Sequence, residues 1–331
     1  MDIMKDRNLN NCIARFLQRA NFGRICCIGL ALIAMNTHAG WKDRMEALDQ
    51  RYERGVFRIF YATSGEDAFN TAPDVSFQGE STQALIDILA DQLQWADWYY
   101  SVNLGLMPPL TSPKYQHVRA IDVHVRSMDD KSGSAGDAAV IYRYRHFGNY
   151  VPALTISIST RWRPKGVTPE HEVFHSYQYG YTFFKNSWFL EGLARSMERP
   201  FRGKPGAEEP LPNTPMELKS LLDRSYSAAP VWTRLKRLCD PTCKVAKTDT
   251  PFRRDAKMCG GAFIKTVLES LQQIDPDAAK ARGINPDNWP EKEQYSSQNN
   301  PWILKGLSLA MERRCPISRD AELAAFHRLL K

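Results

Sequence analysis

Two histidines four residues apart, with a glutamate sixteen residues beyond the second, constrain this chain more than any other feature of it. The stretch runs HEVFHSYQYGYTFFKNSWFLEGLARSMER, from His171 to Arg199. Positions i and i+4 of an α-helix differ by about 40° of rotation, so His171 and His175 project from one face. A buried helix has little use for such a pair unless the two share a partner. Neutral imidazole is a good ligand for Zn²⁺, which prefers four-coordinate tetrahedral sites. A catalytic zinc normally takes three protein ligands, and the third has to come from elsewhere in the chain. A further histidine in the metzincin arrangement would need a glycine at position 178 and a histidine at position 181, where the chain has Gln178 and Tyr181. No histidine follows until His327. Glu191 is the better candidate, so the fold must set two helices face to face, with QYGYTFFKNS reversing the chain between them.

Glu172 is turned about 100° from His171, where its carboxylate can take a proton from water polarised by the ion and pass it on. Val173 and Phe174 face away and are expected in the core. Thr168, Pro169 and Glu170 make a helix start, with Thr168 as N-cap and Pro169 at the first helical position. Trp188 and Gly192 flank Glu191, the glycine suiting a close approach of two helices. A histidine ligand normally gives its other N–H to a carboxylate or carbonyl. Glu198, two turns after Glu191 on the same face, and Gln178, on the face of both histidines, are the candidates for supporting or cleft-lining roles. His124 and His146 have no metal-like spacing around them and read as ordinary strand and loop residues.

Upstream, residues 41–55, WKDRMEALDQRYERG, read as a helix, and VFRIFYATSG as a strand. STQALIDILADQLQWADWYYSVNLG has helical spacing and stops at Gly105. AIDVHVRS, AAVIYRYR and ALTISIST alternate as strands, with DDKSGSAGD as a polar loop after the first. After Trp162 the periodicity is helical, through MELKSLLDRSY, CGGAFIKTVLESLQQI, WILKGLSLAMERRC and DAELAAFHRLL. Strands before helices predict an α+β fold. Residues 40–165 would hold a mixed β-sheet with an edge strand, and residues 166–331 a mainly helical zinc-binding half.

The first 39 residues read as an export signal. Lys5, Arg7, Arg15, Arg19 and Arg24 precede the apolar run ICCIGLALIAM, followed by Thr37 and Ala39 at small-residue cleavage positions. That run is too short for a bilayer core of about 30 Å, so no stable membrane span is expected after its removal. Without the leader the net charge falls from +7 to +4, with 39 basic and 35 acidic residues. No basic cluster interleaved with aromatics accompanies this mild excess, which argues against nucleic acid. Four cysteines remain, Cys239, Cys243, Cys259 and Cys315, and an even count in an oxidising compartment suggests two disulfides with three connectivities open.

HEVFHSYQYGY followed by SWFLEGLARSMER resembles the gluzincin zinc metallopeptidases, in which HExxH is followed by a glutamate ligand in a WxxEGxA context. The nearest likeness is to exported bacterial metalloproteases with HExxHxxQxGY and WxxEGxAxxME. VFRIFYATSGEDAF also resembles the start of their domains. The resemblance covers residues 168–199 and, less closely, 56–126. It implies His171, His175 and Glu191 as ligands of one Zn²⁺ and Glu172 as general base. It also implies that ALTISIST is the sheet edge beside the cleft, where a substrate adds as an extended strand. Two departures stand out. Many gluzincins carry a tyrosine that stabilises the oxyanion where this chain has Met258, within MCGGAF, and a thioether cannot donate a hydrogen bond. Tyr226 and Tyr295 read as packing or surface residues rather than substitutes for it. The glycine–acid–Met-Glu-Asn signature of the family's aminopeptidases is missing before HExxH, which favours an endopeptidase.

The expectation is an exported zinc metallopeptidase, periplasmic or secreted, acting on a peptide or protein substrate. Its rivals are a zinc-binding but catalytically inactive binding or structural protein, a zinc hydrolase of non-peptide amides, and a solvated helix face that binds no metal.

Overall fold

Backbone groups buried in a sheet must be paired, and the pairing here sets the scaffold. The computed structural model describes residues 45, 47–69, 81–148, 151–203, 206–248 and 255–331. The expected export signal over 1–39 lies outside the described residues.

Gln50–Arg54 (β1) and Phe57–Tyr61 (β2) form an antiparallel hairpin that turns through Gly55 at φ +59°. The helix expected over 41–55 therefore fails at its C-terminal end. Cross-strand pairing outweighs the weak helical preference of QRYER. Thr82–Trp98 (α1), capped by the Ser81 side chain, leads from β2 towards Ala120–Arg126 (β3), which pairs parallel with β2. Gly133–Val140 (β4) and Ala153–Ser159 (β5) complete a mixed five-stranded sheet in the order β1-β2-β3-β5-β4.

Two expectations change here. The strand placed in AAVIYRYR begins earlier, at Gly133, inside the supposed polar loop, and stops at Val140. ALTISIST is not the sheet edge. As β5 it runs between β3, its parallel partner, and β4, its antiparallel one, so β4 is the edge on that side.

One face of the sheet, with Ile59, Val123, Val125, Ile156 and Ile158, packs into the main core. The other face buries polar groups in partnership. Arg58 grips Asp122 with two hydrogen bonds of 2.7 and 2.9 Å, Tyr144 Oη donates to Asp122 at 2.8 Å, and His124 Nε2 lies 2.7 Å from Tyr144 Oη. Burial, then the charges of Arg126 and Arg58, push His124 down to about 3, so it stays neutral. It is a structural histidine, and His146 is exposed.

Thr168–Tyr181 (α2) follows β5, and Ser187–Glu198 (α3) follows α2. The first of these starts one residue early: Val167 occupies the cap without a side-chain hydrogen bond and Thr168 is already helical. Pro215–Leu222 (α4), Ala229–Cys239 (α5), Gly261–Arg282 (α6), Glu291–Gln294 (α7), Asn300–Arg314 (α8) and Ala321–Leu329 (α9) continue the helical half. An unforeseen hairpin, Cys243–Ala246 (β6) with Ala256–Cys259 (β7), interrupts it. Residues 45–331 form one unit in which sheet and helices share a core. No helix among the described residues is long and apolar enough to cross a membrane.

The four cysteines pair as Cys239–Cys315, joining the ends of α5 and α8, and Cys243–Cys259, across β6 and β7. The first closes a separation of 76 residues. Removing it through Cys239→Ala with Cys315→Ala should cost about 4 kcal/mol by chain entropy, measured by denaturant titration without reductant.

Candidate metal centre

Every residue of α2 from Pro169 to Tyr181 is buried. Val173, Phe174 and Tyr177 face the core, fully enclosed, with the Phe174 ring edge-on to Tyr100 at 5.2 Å. The opposite side of the same helix carries His171, Glu172, His175 and Gln178. Burying such groups without partners is costly, and α3 supplies the partners by running antiparallel to α2. Gln178 Nε2 donates to Leu190 O at 3.2 Å, near the start of α3, whereas His171 meets Glu198 at its end. Behind α3, Trp188 stacks on Trp232 at 5.6 Å and donates to Asn300 Oδ1 at 2.9 Å. WFLEG thus anchors the helix on one side and presents Glu191 on the other.

The three side chains named from the sequence come together. His171 Nε2 and His175 Nε2 are 3.0 Å apart, and Glu191 Oε2 lies 3.2 Å from the first and 3.4 Å from the second. A tetrahedral Zn²⁺ site with bonds of about 2.0–2.1 Å has ligand–ligand edges of about 3.3 Å. The outer nitrogens are both engaged: His171 Nδ1 lies 2.7 Å from Glu198 Oε2 and His175 Nδ1 2.9 Å from Gln178 Oε1. Both acceptors call for an N–H at Nδ1, which in the neutral tautomer leaves each Nε2 lone pair facing the same point as the Glu191 carboxylate. Three converging lone pairs suit a cation. His171, His175 and Glu191 form a group that can hold a metal ion.

The electrostatics agree. Burial disfavours the charged form of His171, but its hydrogen bonds to Glu191 and Glu198 outweigh that and hold its pKa up to about 10. Burial would likewise raise Glu191, yet hydrogen bonds from His171 and His175 and their charge bring it well below the usual carboxylate range. A field that holds a proton so firmly on His171 also favours a divalent ion, which has to displace that proton to bind.

Glu198 and Gln178 sit behind the histidines rather than among the converging atoms. Gln178 is fully buried and ties His175 to the backbone of α3. Glu198→Gln keeps the shape beside His171 but removes the charge. It should weaken metal retention roughly 10–100-fold, read by competition with a chelator.

Glu172 lies at the wall of a cleft of about 610 Å³ that also exposes the three convergent side chains. Its Oε2 is buried without a hydrogen-bond partner, and burial, only partly offset by His175 and His171, raises its pKa. A carboxylate so placed is ready to accept a proton. Opposite it, β4 contributes Gly133, Ser134 and Ala135 to the same cleft. A Cβ on Gly133 would stand 2.7 Å from Glu172 Oε1 and 2.6 Å from Thr168 Cγ2. A glycine suits this position because the Glu172 side chain lies directly on the strand.

Met258, placed by the resemblance where an oxyanion-binding tyrosine would stand, is buried on β7 and is not a cleft residue. Tyr226 and Tyr295, read as packing or surface residues, both line the cleft, 48% and 47% exposed. The Tyr226 ring lies 5.7 Å from that of His171. Burial, then the charge of Glu191 and a hydrogen bond to it, raise the Tyr226 pKa, so the hydroxyl keeps its proton. Gly192 makes this contact feasible, because a Cβ there would come 2.7 Å from that of Ala228 in the turn bearing Tyr226. Arg195, one turn after Glu191, also lines the cleft and was missed; its i+4 spacing from the glutamate was the available signal.

No family model, curated protein or solved structure matches the chain. Function is therefore read from the chemistry of the site.

Proposed function

We propose that this chain is an exported zinc metallopeptidase of the gluzincin type, with His171, His175 and Glu191 holding one Zn²⁺. The observation that carries the reading is the convergence of these three ligand atoms beside a buried, partnerless carboxylate oxygen of Glu172. Zinc would polarise a peptide carbonyl and make water a stronger acid and nucleophile. Glu172 Oε2 would take the proton from that water and deliver it to the leaving amine. Tyr226 and Tyr295, among the hydroxyl-bearing residues of the cleft wall, would donate to the negative charge developing on the carbonyl oxygen. The outer side of β4, the sheet edge at the cleft, would receive an extended substrate backbone. Two disulfides and the leader support export. The missing aminopeptidase signature favours internal cleavage.

The test is metal stoichiometry in purified mature protein together with Glu191→Ala. One zinc per chain in the parent and retention weakened at least tenfold in the variant are expected, by analogy with losses from even outer partners of roughly 10–100-fold. A parent that takes up no zinc when zinc is added back would end the proposal.

A further inference from the structure

We propose that the His171 end of the cleft is a carboxylate-binding subsite built around Arg195, with Arg202 and Lys131 beside it. The substrates it selects are peptides bearing an acidic group close to the scissile bond. This rests on the peptidase reading and names its substrate class.

The charge is placed by α3 itself. Arg195 follows Glu191 by four residues and so projects from the ligand's face one turn further on. It lines the same cleft, with its guanidinium 5.7 Å from the centre of the Tyr226 ring. No carboxylate pairs with it among the described residues. Arg202 also lines the cleft, its Nη2 3.7 Å from Glu198 Oε1, but the other oxygen of that carboxylate is taken by His171. Arg199 stands between them in sequence, and its pKa is lowered by burial and then by the charges of Arg195 and Arg202. Three guanidinium groups thus gather at one end of α3, where the Glu198 carboxylate is shared by His171 and Arg202. Lys131 reaches the cleft from the β3–β4 loop, next to the exposed Asp130.

The opposite end of the cleft differs. Tyr179 and Tyr295 line it, and the buried cation behind them, Lys185, is neutralised by Asp137 at 2.9 Å. Arg195 therefore places on the His171 side a guanidinium with no carboxylate partner among the described residues. A guanidinium held over an aromatic ring keeps its edge free for two parallel hydrogen bonds, which matches a carboxylate.

The test uses the zinc-loaded chain and peptidyl hydroxamates carrying the chelating group at either end. These anchor through the metal whether or not the protein turns over substrate. One pair differs only in Glu against Gln beside the chelator, and a second in a free against an amidated carboxyl terminus. The charged member of at least one pair should bind roughly tenfold tighter, and less so at high salt. Whichever pair discriminates identifies the source of the carboxylate. Arg195→Gln, which keeps most of the side-chain stem, should remove the discrimination while zinc content and thermal midpoint stay unchanged. Equal affinity within both pairs overturns the subsite and leaves the zinc site standing, as does discrimination that survives in Arg195→Gln. Absence of bound zinc and of any hydroxamate binding overturns the peptidase reading, and the subsite with it.

Discussion

On the proposed peptidase reading, Glu172→Gln is expected to lose peptide turnover by about a thousandfold while keeping its metal, since general-base catalysis contributes roughly 10²–10⁴. The amide is nearly the same size and shape as the carboxylate but cannot accept the proton. The converging atoms belong to His171, His175 and Glu191, and the hydrogen bonds of the two histidines run to one another, to Glu191, to Glu198 and to Gln178. Zinc stoichiometry and a cleavage assay on the same preparation separate the two properties. Loss of both together would make Glu172 a structural support of the site and not its base.

Gly133→Ala should produce the second largest effect, through the same carboxylate. The added methyl would lie 2.7 Å from Glu172 Oε1, 2.9 Å from its Cγ and 2.6 Å from Thr168 Cγ2, closer than atoms can stand. The helix backbone is enclosed on its other side by Val173, Phe174 and Tyr177. The strain must therefore be relieved by turning the Glu172 side chain or shifting the edge strand, either of which misplaces the Glu172 carboxylate. A displacement of about 1 Å can cost on the order of a hundredfold in rate. Zinc content should be unaffected, because the three atoms nearest the added methyl belong to Thr168 and Glu172 and not to His171, His175 or Glu191. Unchanged turnover would mean that β4 yields and that Glu172 does not depend on it.

The candidate ligand pair could be read in the sequence because helical periodicity is local. Four-residue spacing puts His171 and His175 together whatever the rest of the chain does, and seven-residue spacing puts Glu198 two turns from Glu191. The edge strand was not readable in the same way. Gly133, Ser134, Ala135 and Gly136 look like a loop because their small size answers to contacts made across the sheet and against α2, and the alternation that marks a strand is lost. In β1, charged residues masked a strand that pairs with β2 alone among the described residues. Tyr226 was illegible for a third reason. It is delivered by a short turn packed against Gly192, a contact between segments more than thirty residues apart. Gly192 was noticed as a place of close approach, but nothing local says what approaches it.

With an ion held as proposed, the antiparallel meeting of α2 and α3 also makes ambient metal a thermodynamic variable of the fold. His171 and His175 lie on one helix and Glu191 on the next, so the full ligand set exists only where both are packed. An ion that binds there and not to the unfolded chain deepens the folded basin by about 1.4 kcal/mol for each tenfold rise in its free concentration above the dissociation constant. The durability of the protein would then follow the metal supply of the medium around it.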